Sequence, residues 1–155
     1  MSQNRPLYET KSDKEYEKRA FPLIAKAIGG RARKLPDRHF ADCVIVDEDG
    51  CILAYVEYKH RRMRWGDYHT IMLSAGKFLR LEEIRSLGVK SYFVVEDMDG
   101  DLRMLDLLSN YLKMRVVWGG RTSSTRDSMD VEPVCHFPIE EFRRIGNVKA
   151  QSEMG

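Results

Sequence analysis

The chain has 155 residues, 43% hydrophobic and 32% charged, the balance of one ordinary globular domain and not of a disordered chain. Its 26 basic and 24 acidic residues leave a formal charge of only +2, too small to name a partner for the whole molecule. No stretch approaches the roughly 18 apolar residues that span a bilayer, and three cysteines without a CxxC pair make a poor disulfide framework.

Residues 1–11 read as a loose arm without the apolar stretch of a secretory signal, so a cytoplasmic protein with no membrane partner is expected (the host cytoplasm if the source is viral). Ser12 and Glu15 form a capping-box pattern. Phe21, Ile24, Ala25 and Ile28 then recur at helical spacing until Gly29-Gly30 closes the helix. Pro22 inside it predicts a kink or a division. Residues 31–35 predict a short strand and 41–46 a clearer one. Asp47-Glu48-Asp49-Gly50 is a turn signal, and 51–59 is its return strand.

A second helix is expected over 67–86, with Tyr68, Ile71, Met72, Ala75, Phe78 and Leu79 on one face. Residues 89–96 predict a buried strand, Asp99-Gly100 a turn, 102–105 its return and 113–118 a further strand. Residues 119–130 are polar and predict a mobile loop, and 134–137 a last strand. Pro138 opens a short helix to residue 144, and 146–155 are expected as a flexible tail. The order predicts a single α/β domain with a mixed β-sheet flanked by helices.

Charge is unevenly spread. Arg31, Arg33, Lys34, Arg38 and His39 form one basic cluster, and Lys59, His60, Arg61, Arg62 and Arg64 a denser one. A basic field beside a carboxylate site suits a polyanionic substrate.

Such a site follows from the first hairpin. If Asp49-Gly50 is a two-residue loop, Glu48 faces Cys51 and Asp42 faces Glu57. Side chains alternate along a strand, so Asp42, Glu57 and Lys59 share one surface. Two facing carboxylates repel unless a cation lies between them. A hard cation such as Mg²⁺ takes oxygen ligands and keeps several waters. Asp42, Glu57 and the backbone carbonyl of Tyr58 supply oxygens, and Lys59 is placed to orient water or neutralise a phosphoryl transition state.

Asp42, a hairpin and then Glu57-Tyr58-Lys59 resemble the PD-(D/E)XK nuclease superfamily. The resemblance covers residues 12–95 and implies a restriction-endonuclease-like core: a helix, a three-strand meander, a crossover helix and a further strand. It implies hydrolysis of DNA phosphodiester bonds with Mg²⁺ or Mn²⁺, in a phage or mobile-element setting of recombination, repair or packaging, with a homodimer plausible. It also implies a glutamate on the first helix that completes the metal site. Glu17 fits, sharing a helical face with Phe21, Ile24 and Ile28, whereas Glu15 serves the cap. The proline-aspartate dipeptide occurs at Pro36-Asp37 with no strand after it, so Asp37 is a rival ligand to Asp42. On the crossover helix Thr70, Ser74 and Lys77 form a polar stripe, and Lys77 is the candidate to face the site.

Arg61, Arg62, Arg64, Lys77, Arg33 and Lys34 are the expected nucleic-acid contacts, while Trp65 and Tyr68 are expected to pack in the core. Asp97, Asp99 and Asp101 resemble a calcium loop, but Gly100 is at the wrong position and the distal glutamate is missing, so a hairpin turn is expected. The four histidines show no zinc spacing. A nuclease stands against two other readings: a non-catalytic nucleic-acid-binding module on the same fold, and an interaction protein with no nucleic-acid role.

Overall fold

The computed structural model describes residues 11–36, 39–107, 113–120 and 131–150. The expectations for Asp37, Arg38, most of the N-terminal arm, most of the 119–130 loop and the last five residues lie outside them. Helix α1 (Lys11–Ile28) is unbroken, with Pro22 inside it. Pro22 is exposed, so the carbonyl it leaves without an amide partner can turn to water. Strands β1 (Arg31–Lys34), β2 (Cys43–Val46) and β3 (Ile52–His60) make the antiparallel meander. After β3 come β4 (Thr70–Ser74), α2 (Ala75–Arg85) and β5 (Lys90–Glu96), the last pairing parallel with β3. A parallel pair needs such a crossover. The strands β6 (Asp101–Asp106) and β9 (Arg143–Asn147) complete a six-stranded mixed sheet in the order β1-β2-β3-β5-β6-β9.

One face of this sheet is covered by α1, where Ala20, Phe21, Ile24 and Ala25 pack on Cys43, Ile45, Val56, Tyr58 and Val94. The other face meets α2 and a second sheet, ordered β4-β8-β7, with β7 at Arg115–Gly120 and β8 at Val131–Pro138. Phe78 and Leu81 of α2 join Ile71, Leu73, Cys135 and Phe137 against Phe93, Val95 and Leu105. The architecture is the expected α/β class with the expected core order of helix, meander, crossover helix and strand.

Three expectations are corrected. Residues 70–74 form a strand and not the start of a helix. Ile71 and Leu73 point inward and pair with Phe137 and Cys135, while Tyr68 and Leu79 of the expected helical face are exposed. Residues 138–144 are a 3₁₀ turn (Ile139–Glu141) leading into β9, because Pro138 is extended and the chain then pairs with the open edge of β6. Residues 146–150 are not a loose tail. Gly146 and Asn147 end β9, and the buried Val148 donates its N–H to the Gly100 carbonyl at 2.9 Å.

Candidate active site

The hairpin that assembles the site reaches its register by a different route from the simple two-residue loop. Asp47 N donates to the Cys51 carbonyl and Gly50 N to the Asp47 carbonyl, so the loop holds three residues, with Gly50 at φ 84° as such loops require. That extra residue shifts Val46 opposite Ile52. A bulge at Leu53 then restores the pairing of Ile45 with Ala54 and of Cys43 with Val56. The bulge cancels the longer loop as far as Cys43 opposite Val56, where the ladder ends; Asp42 follows just outside β2, near enough for the charge of Glu57 to act on it.

Asp42 is held at three points. Its N–H donates to the Val56 carbonyl at 3.0 Å, its carbonyl accepts from Leu35 N at 3.0 Å, and its Oδ2 accepts from Tyr58 N at 2.7 Å. An extended residue turns its N–H and C=O to the same edge, so the Tyr58 carbonyl also faces the Asp42 side of β3. Glu57, on β3, is 0% exposed. Its Oε2 accepts from Lys77 Nζ at 2.7 Å and faces Lys59 Nζ at 3.3 Å. Lys77 comes from the first turn of α2, where the Ser74 side chain caps the helix by accepting from Lys77 N. Of the predicted polar stripe, Ser74 therefore caps, Lys77 reaches the site, and Thr70 bonds His136 Nδ1 at 2.9 Å.

The electrostatics of the two acids are unequal. Burial, then the charge of Glu57, pushes the Asp42 carboxyl up from its ordinary 3.8 to about 7, against the pull of Lys77, Lys59 and the Tyr58 N–H. Burial also acts to raise Glu57, but the charges and hydrogen bonds of Lys77 and Lys59 outweigh it and hold Glu57 below the usual range. Both ammonium groups thus converge on one oxygen. Glu57 Oε1 is buried with no hydrogen-bond partner among the described residues. A buried carboxylate oxygen left without a partner is costly, and a carboxyl that keeps its proton to about pH 7 marks a place short of positive charge. A hard divalent cation fits this donor set, because it takes carboxylate and carbonyl oxygens and completes its shell with water.

The structure does not bring every expected residue there. Among the described residues no three histidine, cysteine, aspartate or glutamate side chains group as a metal site. Glu17 is buried on the α1 side, where it accepts from Lys34 Nζ, and its charge is felt at Cys43 and Tyr58. Lys34, expected at nucleic acid, makes that pair and also lies over the Phe21 ring. Arg33, Arg62 and Arg64 are exposed, with Arg64 Nε 4.0 Å from Asp99. Arg61 donates to the Met72 carbonyl at 3.2 Å. Trp65 packs edge-on to Phe142 under the Arg103 guanidinium, whereas Tyr68 is 64% exposed and packs in no core. Asp97 closes the β5–β6 turn, its Oδ1 accepting from Asp99 N and Asp101 N.

A further polar group sits across the sheet. Glu96 is 2% exposed, and Tyr58 Oη donates to its Oε1 at 2.6 Å. His60 Nε2 lies 3.8 Å from its other oxygen, and the His60 ring stacks on Tyr16. The basic-run reading placed His60 with its neighbours. The alternation of β3 that puts Lys59 at the active site sends His60 to the opposite face, and that alternation is readable in sequence.

A family model described as "Phage putative PDDEXK endonuclease" matches residues 3–145 of the chain. No curated protein matches it. Among solved structures the chain is similar to Hjc, a Holliday junction resolvase from the archaeal hyperthermophile Archaeoglobus fulgidus. The identity is 18% over 61% of this chain and 76% of that chain, with a TM-score of 0.48.

Proposed function

The chain belongs to the family of phage PDDEXK endonucleases, and from that membership and the geometry of the site we propose that it hydrolyses DNA phosphodiester bonds with Mg²⁺ or Mn²⁺ held by Asp42, Glu57 and the Tyr58 carbonyl. The observation that carries the reading is the division of labour on Glu57. One of its oxygens is taken by two lysines and the other, buried, has no partner among the described residues, beside a carboxyl that burial has made a poor anion.

A bound divalent ion supplies a water of lowered pKa and neutralises charge on the phosphoryl group. The protein's own groups do the rest. Lys77, the closer cation on Glu57, keeps that buried carboxylate ionised. Lys59, whose side chain is partly open to solvent, orients the attacking water and balances the negative charge that gathers on the phosphate oxygens. The water oxygen attacks phosphorus, the bond to the leaving sugar oxygen breaks, and that oxygen takes up a proton. Tyr58 N–H fixes the carboxylate of Asp42, so the ligand pair is oriented before substrate arrives.

Glu17, engaged by Lys34, is proposed to act through its field at Tyr58 and Cys43 and not as a direct ligand. Arg61, Arg62, Arg64 and Arg33 are proposed to hold the DNA backbone. Enclosure in the host cytoplasm and pairing of two copies belong to the same proposal. The test is cleavage of single-stranded, duplex and branched DNA with Mn²⁺, beside Glu57→Ala. Cleavage of at least one form by the wild type alone is expected. Equal cleavage by Glu57→Ala would overturn the site.

A further inference from the structure

The end of the sheet that carries the proposed active site has a cavity on its other face. β3 and β5 run parallel and finish together, with His60 opposite Glu96. Ligands of α/β sheets gather at the carboxyl ends of such strands. Lys59 faces the α2 side there, and His60, the next residue, faces α1. Between α1 and these strand ends lies a cavity of about 290 Å³ lined by Tyr16, Arg19, His60, Arg62, Glu96 and Lys149, among others.

Its chemistry is specific. Three cations, Arg19, Arg62 and Lys149, come from three separate parts of the chain and surround one carboxylate. Glu96 is already engaged by the Tyr58 hydroxyl, so it is the inner wall and not a free acid at the mouth. Lys149 is steadied by donating to the Met98 carbonyl at 2.9 Å. Arg19 lies 5.4 Å over the Tyr16 ring, which stacks on His60 with centroids 3.8 Å apart. The aromatic surface of Tyr16 is thus used within the protein, which leaves little of it for a stacked base. What remains is a net positive cleft suited to a compact anion.

We propose that this cleft binds a further backbone phosphate of the same nucleic-acid strand that is cut, so that the strand crosses the end of β3 with phosphates on the two faces of the sheet. The inference rests on the nuclease reading for the identity of the anion, but on its own residues for the site. It makes the chain a reader of polynucleotide and not of single nucleotides: a substrate needs at least one nucleotide flanking the scissile bond to fill both places.

The test compares wild type with an Arg19→Ala/Lys149→Ala double variant. Both side chains are exposed, so the fold is expected to hold, and matching melting curves verify it. Binding of a fluorescent DNA 12-mer duplex is followed from low to high salt without divalent metal, with inorganic phosphate as competitor. Each phosphate contact adds about 0.9 to the slope of log affinity against log salt, so loss of this one phosphate contact should flatten it by about 1. The KM for cleavage should rise about tenfold, as weakened phosphate contacts predict. An unchanged salt slope overturns the proposal, even if the wild type cleaves. A flattened slope with no cleavage by the wild type supports the cleft and removes the active-site reading instead. Release of bound phosphate from the wild type without any change in polymer binding also overturns it.

Discussion

Asp42→Asn should make the metal-free protein more stable at pH 8 while ending its activity. Asparagine keeps the shape and an oxygen to accept the Tyr58 N–H, but removes a charge that the site disfavours. The folded carboxyl keeps its proton to about pH 7 against an ordinary 3.8. Between those values the folded chain binds more protons than the unfolded one, so the wild type loses stability as pH rises, and above 7 the loss is constant. Each pH unit of that window is worth about 1.4 kcal/mol, which sets a ceiling of about 4 kcal/mol. Asp42 is only partly buried, and relaxation of water and neighbours roughly halves that, to about 2 kcal/mol. For a chain of this size the gain is about 4–8 °C in Tm. Thermal melts with chelator at pH 4.5 and pH 8 test it. The variant should exceed the wild type only slightly at the lower pH and by the full amount at the higher. Equal shifts at both, or a loss at pH 8, would show that the Asp42 charge does not oppose folding.

Glu57 has the opposite sign. Its folded pKa is depressed, so its contribution is present above the unfolded value and vanishes as pH falls through the lower folded one. Glu57→Gln leaves two ammonium groups, each about a third exposed, without their counter-ion, and should cost about 1–3 kcal/mol at pH 7 and progressively less in acid melts. Lys77→Met should lower Tm at neutral pH by a comparable mechanism, whereas Lys59→Met, at the more distant and more open ammonium, should lose cleavage with a smaller change in Tm. Arg61→Ala/Arg62→Ala should weaken DNA binding across all sequences and flatten its salt dependence by about 1–2, read by titration at several salt concentrations. A sequence-selective loss would contradict a backbone role.

The first hairpin is more legible in the sequence than the architecture around it. The register of Cys43 against Val56 is readable because a hairpin is local, and because the bulge at Leu53 cancels the longer loop at Gly50. The carboxylate pattern and the buried strand 89–96 are short-range features that periodicity carries. The second sheet is not. Thr70 meets His136 across 66 positions, and five residues with Ile71 and Leu73 alternating fit the start of an amphipathic helix as well as a strand. Only the partner β8 decides between them. The same holds for β9, which pairs with an edge of β6 that no local signal announces. Glu17 shows another limit. Its helical face was readable, but its capture by Lys34 of β1 depends on how the helix sits on the sheet. The aromatic ring of Tyr68 suggests the core, and only the fold reveals that it lies on an exposed turn.

In the proposed site Asp42 and Glu57 together hold one divalent ion against two lysines. Calorimetric titration of the metal-free protein with Mn²⁺ at pH 8 tests it most directly. Saturable binding that raises Tm in the wild type, and that disappears in both Asp42→Asn and Glu57→Gln, is the predicted result. Binding of the same strength in either variant would contradict it.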